Sequence, residues 1–165
     1  MRFRLGRYVI ILTLIVLTAG SWAKGPKPVT GKQFDSAAQA ALAAMKRRAA
    51  ELNIQGVAVV SFAPGDTIQA WSSEMAVVGH MTDHTNGDKG NNLLAIAYAK
   101  ASEMANTLKD SGTSGHTPMT GEFGWQGGVM EQTARGYIIV AFSGGKSEDD
   151  VQVSKAGLAV LKARL

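Results

Sequence analysis

The chain has 165 residues, no cysteine, 45% hydrophobic residues and a formal net charge of +4. That length suggests one domain, and the missing cysteines exclude a thiol nucleophile, a thiolate metal site and a disulfide framework. Three of the basic residues lie within the first seven positions. Setting them aside brings 17 basic residues to 14 against 13 acidic, and the net charge from +4 to +1, which removes the charge surplus that a nucleic-acid binder shows.

Those first residues have a pattern of their own. Arg2, Arg4 and Arg7 form a basic region, Tyr8 to Ala19 is apolar, and Ser21-Trp22-Ala23 is a small-x-small cleavage site. The apolar run is shorter than the roughly 20 residues a membrane span requires. The pattern predicts a secretory signal peptide over residues 1–23, cleaved after Ala23, and a single domain over 24–165. It places the protein in the periplasm or outside the cell, with no membrane insertion after cleavage.

Lys24 to Val29 reads as a short leader to the domain. Thr30 and Gln33 have capping-box spacing, and Ala38, Ala41, Leu42, Met45, Ala49 and Leu52 recur at three and four, which predicts a helix to about Leu52. Asn53 and Gly56 bracket its end. Gly56 to Phe62 is rich in β-branched residues and predicts a strand; Pro64-Gly65-Asp66 is a turn signal. Thr67 to about Val78 reads as a second strand, with Ile68, Ala70 and Trp71 inward. A polar segment continues from Glu74 to Asn92. Asn91 and Asn92 can cap a second helix from Leu93 to Leu108, apolar on a face wide enough for a sheet on one side and a second subunit on the other. Lys109 to Thr120 is a long loop rich in Gly, Ser and Thr.

The last third of the chain is the most legible. After the glycine-rich run Gly121 to Gly128, a strand from Val129 to Thr133 meets a turn at Ala134, Arg135 and Gly136, with Gly136 able to take positive φ. Tyr137 to Ser143 is a nearly continuous apolar run, as in a strand buried on both faces. Gly144 and Gly145 break it. Ser147 is the expected N-cap of a final helix, with Glu148, Asp149 and Asp150 on its first turn and Val151, Leu158 and Leu161 as its apolar stripe. The predicted order is α-β-β-α-β-β-α, an α+β domain with an antiparallel sheet and helices packed on it.

This terminal stretch resembles the GlcG/HbpS family of haem-binding proteins. The resemblance rests on Gly127, Gly128 and Val129; on Gly136, Tyr137, Ile138, Ile139, Ala141, Ser143 and Gly144; on Asp149 and Asp150; and on Lys155, Ala156, Gly157 and Leu158. Ala97, Lys100 and Ala101 match the A-x-x-K-A of the family's middle helix. The chain departs from the family at Ser61, where an Asp is usual, and after the second strand, where an Arg-Met-Asp-Gly-like run is replaced by the longer polar segment. The resemblance implies a profilin-like fold, a homo-oligomer and haem binding, as a carrier or redox-stress component. It transfers no axial ligand, because the polar segment is where the chain departs.

Candidate ligand groups therefore come from the residues themselves. His80 and His84 are spaced i, i+4, but Gly79, Asp83, Asn86, Gly87 and Gly90 argue for a loop, so both read as solvated loop histidines, as haem or metal ligands, or as catalytic groups. Asp83, Asn86 and Asp88 miss the spacing of an EF-hand calcium loop. Met75 and Met81 offer thioethers. Phe123 and Trp125 are candidate walls. His80 is the first choice of iron ligand, because Val77, Val78 and Met81 surround it. No nucleophile elbow or phosphate loop is present, and no catalytic signature stands out. Two other readings stay open: a small-molecule sensor or enzyme of another pathway on the same fold, and a ligand-free oligomeric envelope protein. The leader generates the first prediction: N-terminal sequencing of envelope or secreted material should return Lys24, and a Met1 start would remove the export reading.

Overall fold

The computed structural model describes residues 26–84 and 89–165. The signal peptide predicted over 1–23 lies outside the described residues, as do Asn86 and Asp88 of the calcium-loop comparison. The elements are α1 (Gly31–Glu51), β1 (Gly56–Pro64), β2 (Ser72–Val78), the two-residue strands β3 (Thr82–Asp83) and β4 (Asn91–Asn92), α2 (Leu93–Thr107), β5 (Gly128–Thr133), β6 (Gly136–Ser143) and α3 (Ser147–Arg164). The predicted order therefore holds, with β3 and β4 added as a small ladder of their own.

The main sheet is antiparallel throughout, in the order β2-β1-β6-β5. Every residue of β6 is buried, as its continuous apolar run predicts, because both faces of the sheet are covered. Ile138, Val140 and Phe142 pack with Ala58, Val60 and Phe62 of β1 against α1 and α3. Ile139 and Ala141 face the other way, against Ala101 and Met104 of α2, and Val57 and Val59 meet Leu93, Ile96 and Ala97 there. The result is a three-layer α+β sandwich. Burying a side chain such as Phe142 or Ile139 contributes about 1.5–3 kcal/mol relative to leaving it in water, so this central pair of strands supplies much of the driving force.

Small residues let the layers approach. The buried face of α1 is largely alanine, and Gly157 of α3 lies against it. A Cβ on Gly157 would come within 2.7 Å of Met45 Sδ. α1 starts as expected, with Thr30 Oγ1 accepting from the Gln33 backbone N–H at 3.2 Å. The reciprocal half of a capping box is not made; the Gln33 side chain donates instead to the carbonyl of Arg164. Asn92 caps α2 by accepting from the Ala95 N–H, and Leu108 ends it in the left-handed conformation, φ 54°.

Three expectations are corrected. The second strand starts at Ser72 rather than Thr67, because β1 ends at Pro64 and its pairing runs only from Phe62↔Ser72 to Gly56↔Val78. Residues 65–71 form a loop that folds Ile68 and Trp71 onto the α2 side of the sheet and leaves Ala70 exposed. At α3 the N-cap is Lys146, whose carbonyl accepts from both Asp149 and Asp150 N–H groups, so Ser147 is already helical and no side chain caps this end. The buried stripe of α3 is also rotated from the predicted one: Asp150, Val153, Ser154, Gly157 and Leu161 face inward, while Val151 and Leu158 are half-buried.

The β5–β6 hairpin turns through Ala134 and Arg135, with Thr133 paired to Gly136. Thr133 Oγ1 donates to the Gly136 carbonyl and accepts from the Arg135 N–H. Gly136 has φ 146°, and a Cβ there would overlap the carbonyl of Ala63 on β1. Gly136→Val should therefore cost about 1–3 kcal/mol through backbone strain and displaced ladder. Ser147→Ala, which removes no cap, should stay within about 0.5 kcal/mol of the parent. Thermal melts of both variants check the pair; equal melting of Gly136→Val and the parent contradicts the assigned turn.

Candidate functional site

The chain's most unusual chemistry lies at one end of the sheet, where β6 stops and α3 begins. Lys100 sits mid-way along α2, on the same face as Ile96, Ala97 and Met104, a position the helical period reserves for apolar residues. Asp150 occupies the corresponding inward position on α3, ahead of Val153 and Ser154. Each is only 3% exposed. Lys100 Nζ donates to Asp150 Oδ2 and to the carbonyl of Phe142, both at 2.8 Å. The other carboxylate oxygen of Asp150 accepts from the Gly145 N–H at 2.8 Å. The pair thus joins α2, on one face of the sheet, to α3, on the other, around the end of β6.

Glycine makes that passage possible. Gly127 has φ 137°, and a Cβ on it would overlap Lys100 Nζ and approach Asp150 Cβ to 2.9 Å. Its carbonyl accepts from Ser154 Oγ at 2.6 Å and from the Phe142 N–H at 3.1 Å. Gly127, from the glycine-rich run before β5, thus makes room for the buried pair.

Two clefts open beside the pair and share Asp83, Gly144 and Gly145 as walls. The inner one, about 130 Å³, is lined by Lys100, Asp150, Ser143, Ser147, Asn91 and Trp125 among others. The outer one, about 780 Å³, is lined by Asn53, Ile54, Gln55, His80, Lys146 and Asp149 in addition to the shared wall. His80 and Trp125, proposed from sequence as ligand and wall, are thereby placed on adjoining clefts. Phe123 stacks on Trp125 with ring centroids 4.9 Å apart, and both are about half exposed.

The remaining candidates are placed less centrally. His80 Nδ1 bonds to Gln55 Oε1 at 2.7 Å. An amide oxygen can only accept, so Nδ1 is the donor of this bond, and in the neutral ring the lone pair is then on Nε2. Gly79, φ 82°, makes room for that Gln55 side chain, which a Cβ there would overlap. His84 is exposed beyond β3 and lies against Gly90. His80 and His84 are not on one helix, in line with the loop reading. Met81 is exposed, and its carbonyl accepts from the Leu93 N–H. Met75 is half-buried against the α2 side of the sheet. His116 lines a separate cleft with Asn106, Lys109 and Met119. Among the described residues no cluster of three or more His, Asp or Glu side chains is arranged to hold a metal ion.

Burial sets the electrostatics of the pair. Desolvation lowers the pKa of Lys100 below 10.5 and raises that of Asp150 above 3.8; their mutual attraction opposes both shifts without cancelling them. The sign follows from proton counts. Between 3.8 and its raised native value, Asp150 binds more protons folded than unfolded, so its contribution is fully present below 3.8 and is lost as pH rises through the native value. Between its lowered native value and 10.5, Lys100 binds fewer protons folded, so stability recovers as pH rises through that window. Lys100→Met should destabilise by roughly 3–5 kcal/mol near neutral pH by stranding a buried carboxylate, whereas Lys100→Met with Asp150→Leu should recover most of that loss. Relative to the double variant, the parent should be least stable between the raised Asp150 value and the lowered Lys100 value, and improve toward acid. Urea melts across pH check this; a double variant no better than Lys100→Met would overturn it.

Comparison with known proteins adds the fold alone. No family model matches the sequence, and no curated protein matches it. Among solved structures, the crystal structure of Klebsiella pneumoniae protein ORFY, of the DUF336 family, is similar, with a TM-score of 0.53 and 18% identity over 78% of this chain and 89% of that one. At that identity the likeness is one of architecture: the three-layer sandwich described above is shared with a DUF336 protein.

Proposed function

We propose that this is an exported, homo-oligomeric haem-binding protein related to the GlcG/HbpS proteins. The observation that carries the reading is the arrangement around His80. Its imidazole is exposed on the outer cleft, with Nδ1 engaged by Gln55, which in the neutral ring leaves the lone pair on Nε2. A bond from a neighbouring side chain to the other ring nitrogen fixes the tautomer and orientation of a metal-ligating histidine. The donor set fits haem in other respects: Lys146 on the same cleft can pair with a propionate, and Trp125 with Phe123 offers an aromatic wall on the adjoining one. Haem, when bound, would supply iron chemistry that the chain's own side chains lack. The residues' part is to ligate, orient and shield it. The likeness to a DUF336 protein and the terminal motif support the family relation.

The alternative of a small-molecule enzyme or sensor is favoured by one specific observation, the buried Lys100–Asp150 pair on the inner cleft. Haemin titration of the parent, His80→Ala, His84→Ala and the double variant separates the readings. His80→Ala should shift the Soret band and weaken binding about tenfold or more, with little effect from His84→Ala. Unchanged spectra and affinity in all three would remove His80 as ligand, and no Soret band in the parent would remove haem. Light scattering of the same material should show a particle larger than the roughly 15 kDa of one exported chain.

A further inference from the structure

We propose that Lys100 is a reactive amine that forms an imine with short hydroxylated aldehydes and ketones entering the inner cleft. This goes beyond the haem reading and does not depend on it, since His80 faces the outer cleft and Lys100 the inner one.

The geometry supplies each requirement. Lys100 Nζ has three N–H groups in its charged form, and its two acceptors, Phe142 O and Asp150 Oδ2, account for two of them. It is almost wholly buried and is one of the residues that line the cleft. Burial of this kind is how lysines become nucleophiles. Asp150 Oδ2, 2.8 Å away, is placed to take the proton that frees the lone pair. Gly127, having no side chain, lets Lys100 Nζ lie against its backbone beside Asp150.

The chemistry closes without any other reactant. Lys100 passes a proton to Asp150, and the neutral amine attacks the carbonyl carbon. A C–N bond forms, and the carbonyl oxygen takes a proton from nitrogen to give a carbinolamine. Asp150 then returns its proton to the hydroxyl, which leaves as water as the C=N bond forms. The product is a protonated imine paired with the Asp150 carboxylate. One carbonyl compound and one amine become one imine and one water, with nothing oxidised or reduced.

The cleft also selects the substrate class. Its volume of about 130 Å³ equals roughly four water molecules at ~30 Å³ each, which limits the ligand to a few non-hydrogen atoms. Ser143, Ser147 and Asn91 offer hydrogen bonds suited to hydroxyl groups.

The test uses the full exported chain, glycolaldehyde as probe and sodium cyanoborohydride to trap imines, followed by peptide mapping. Lys100 should be labelled about tenfold or more faster than the exposed Lys46 and Lys155, as expected of an activated amine against solvated ones. Acetaldehyde, which lacks the hydroxyl, should label Lys100 more slowly relative to Lys46 than glycolaldehyde does. Asp150→Asn, checked for folding by circular dichroism, should lower labelling at Lys100 and leave Lys46 unchanged. Labelling of the exposed lysines with Lys100 untouched would overturn the proposal in the parent alone, whatever the fate of the variant. Equal relative labelling by acetaldehyde would overturn the substrate class, and unchanged labelling in folded Asp150→Asn would overturn its role as proton carrier. Haemin binding is read separately, so failure here leaves that reading standing.

Discussion

A lysine and an aspartate, each shut away from water, hold the two outer layers of this protein together around the end of its central strand. Removing both charges from solvent is unfavourable, and their attraction offsets it only because every neighbouring group is arranged to receive them. Phe142 turns a carbonyl toward Lys100, Gly145 turns an N–H toward Asp150, and Gly127 leaves room for the ammonium group. The same contacts fix where β6 ends, how α3 departs and how the strand β5 is led in. The walls shared by the two clefts, Gly144 and Gly145, are positioned by this one pair. The site and the fold thus rest on the same bonds.

Much of the architecture is legible in the sequence because it follows from periodicity. The unbroken apolar run of β6 marks a strand covered on both faces, and the three-and-four spacing of α1 marks its buried side. The hairpin through Ala134 and Arg135 follows from the glycine that closes it. What periodicity misreads are places where a non-local partner decides. Thr67 to Trp71 look like strand residues, yet β1 ends at Pro64 and its ladder with β2 begins only at Phe62↔Ser72, so these residues form the connection between the two strands. Ser147 looks like a cap, yet the backbone carbonyl one residue earlier begins the helix.

The central pair is the clearest case. Lys100 falls on the apolar face of α2 and Asp150 on the inward face of α3, and a charged residue at such a position is itself a signal. Read one helix at a time, the first passes as part of a motif and the second as first-turn acidity. Only the two anomalies together point to a buried bond, and their spatial coincidence is not written in either segment. The candidate ligand residues are less legible still. His80 was found for its apolar neighbours, but what orients it is Gln55, a residue from the other side of β1 that no local pattern connects to it. Sharing a sandwich with a DUF336 protein does not settle such details, since function resides in the groups placed at the end of a sheet rather than in the sheet.

The strand order has a consequence for how the chain comes to be folded. β1 and β6 are neighbours at the centre of the sheet, but β1 belongs to the first half of the chain and β6 to its last thirty residues. A polypeptide made from its N-terminus has its most apolar early strand waiting, with only the edge strand β2 for company, until nearly everything else has emerged. The β5–β6 hairpin, closed by a two-residue turn, is the local structure that can form fast and then serve as the template. Long-range closure of that kind is slow relative to helix formation. The interval before β1 docks is therefore when this protein is most exposed to proteases and to its own copies.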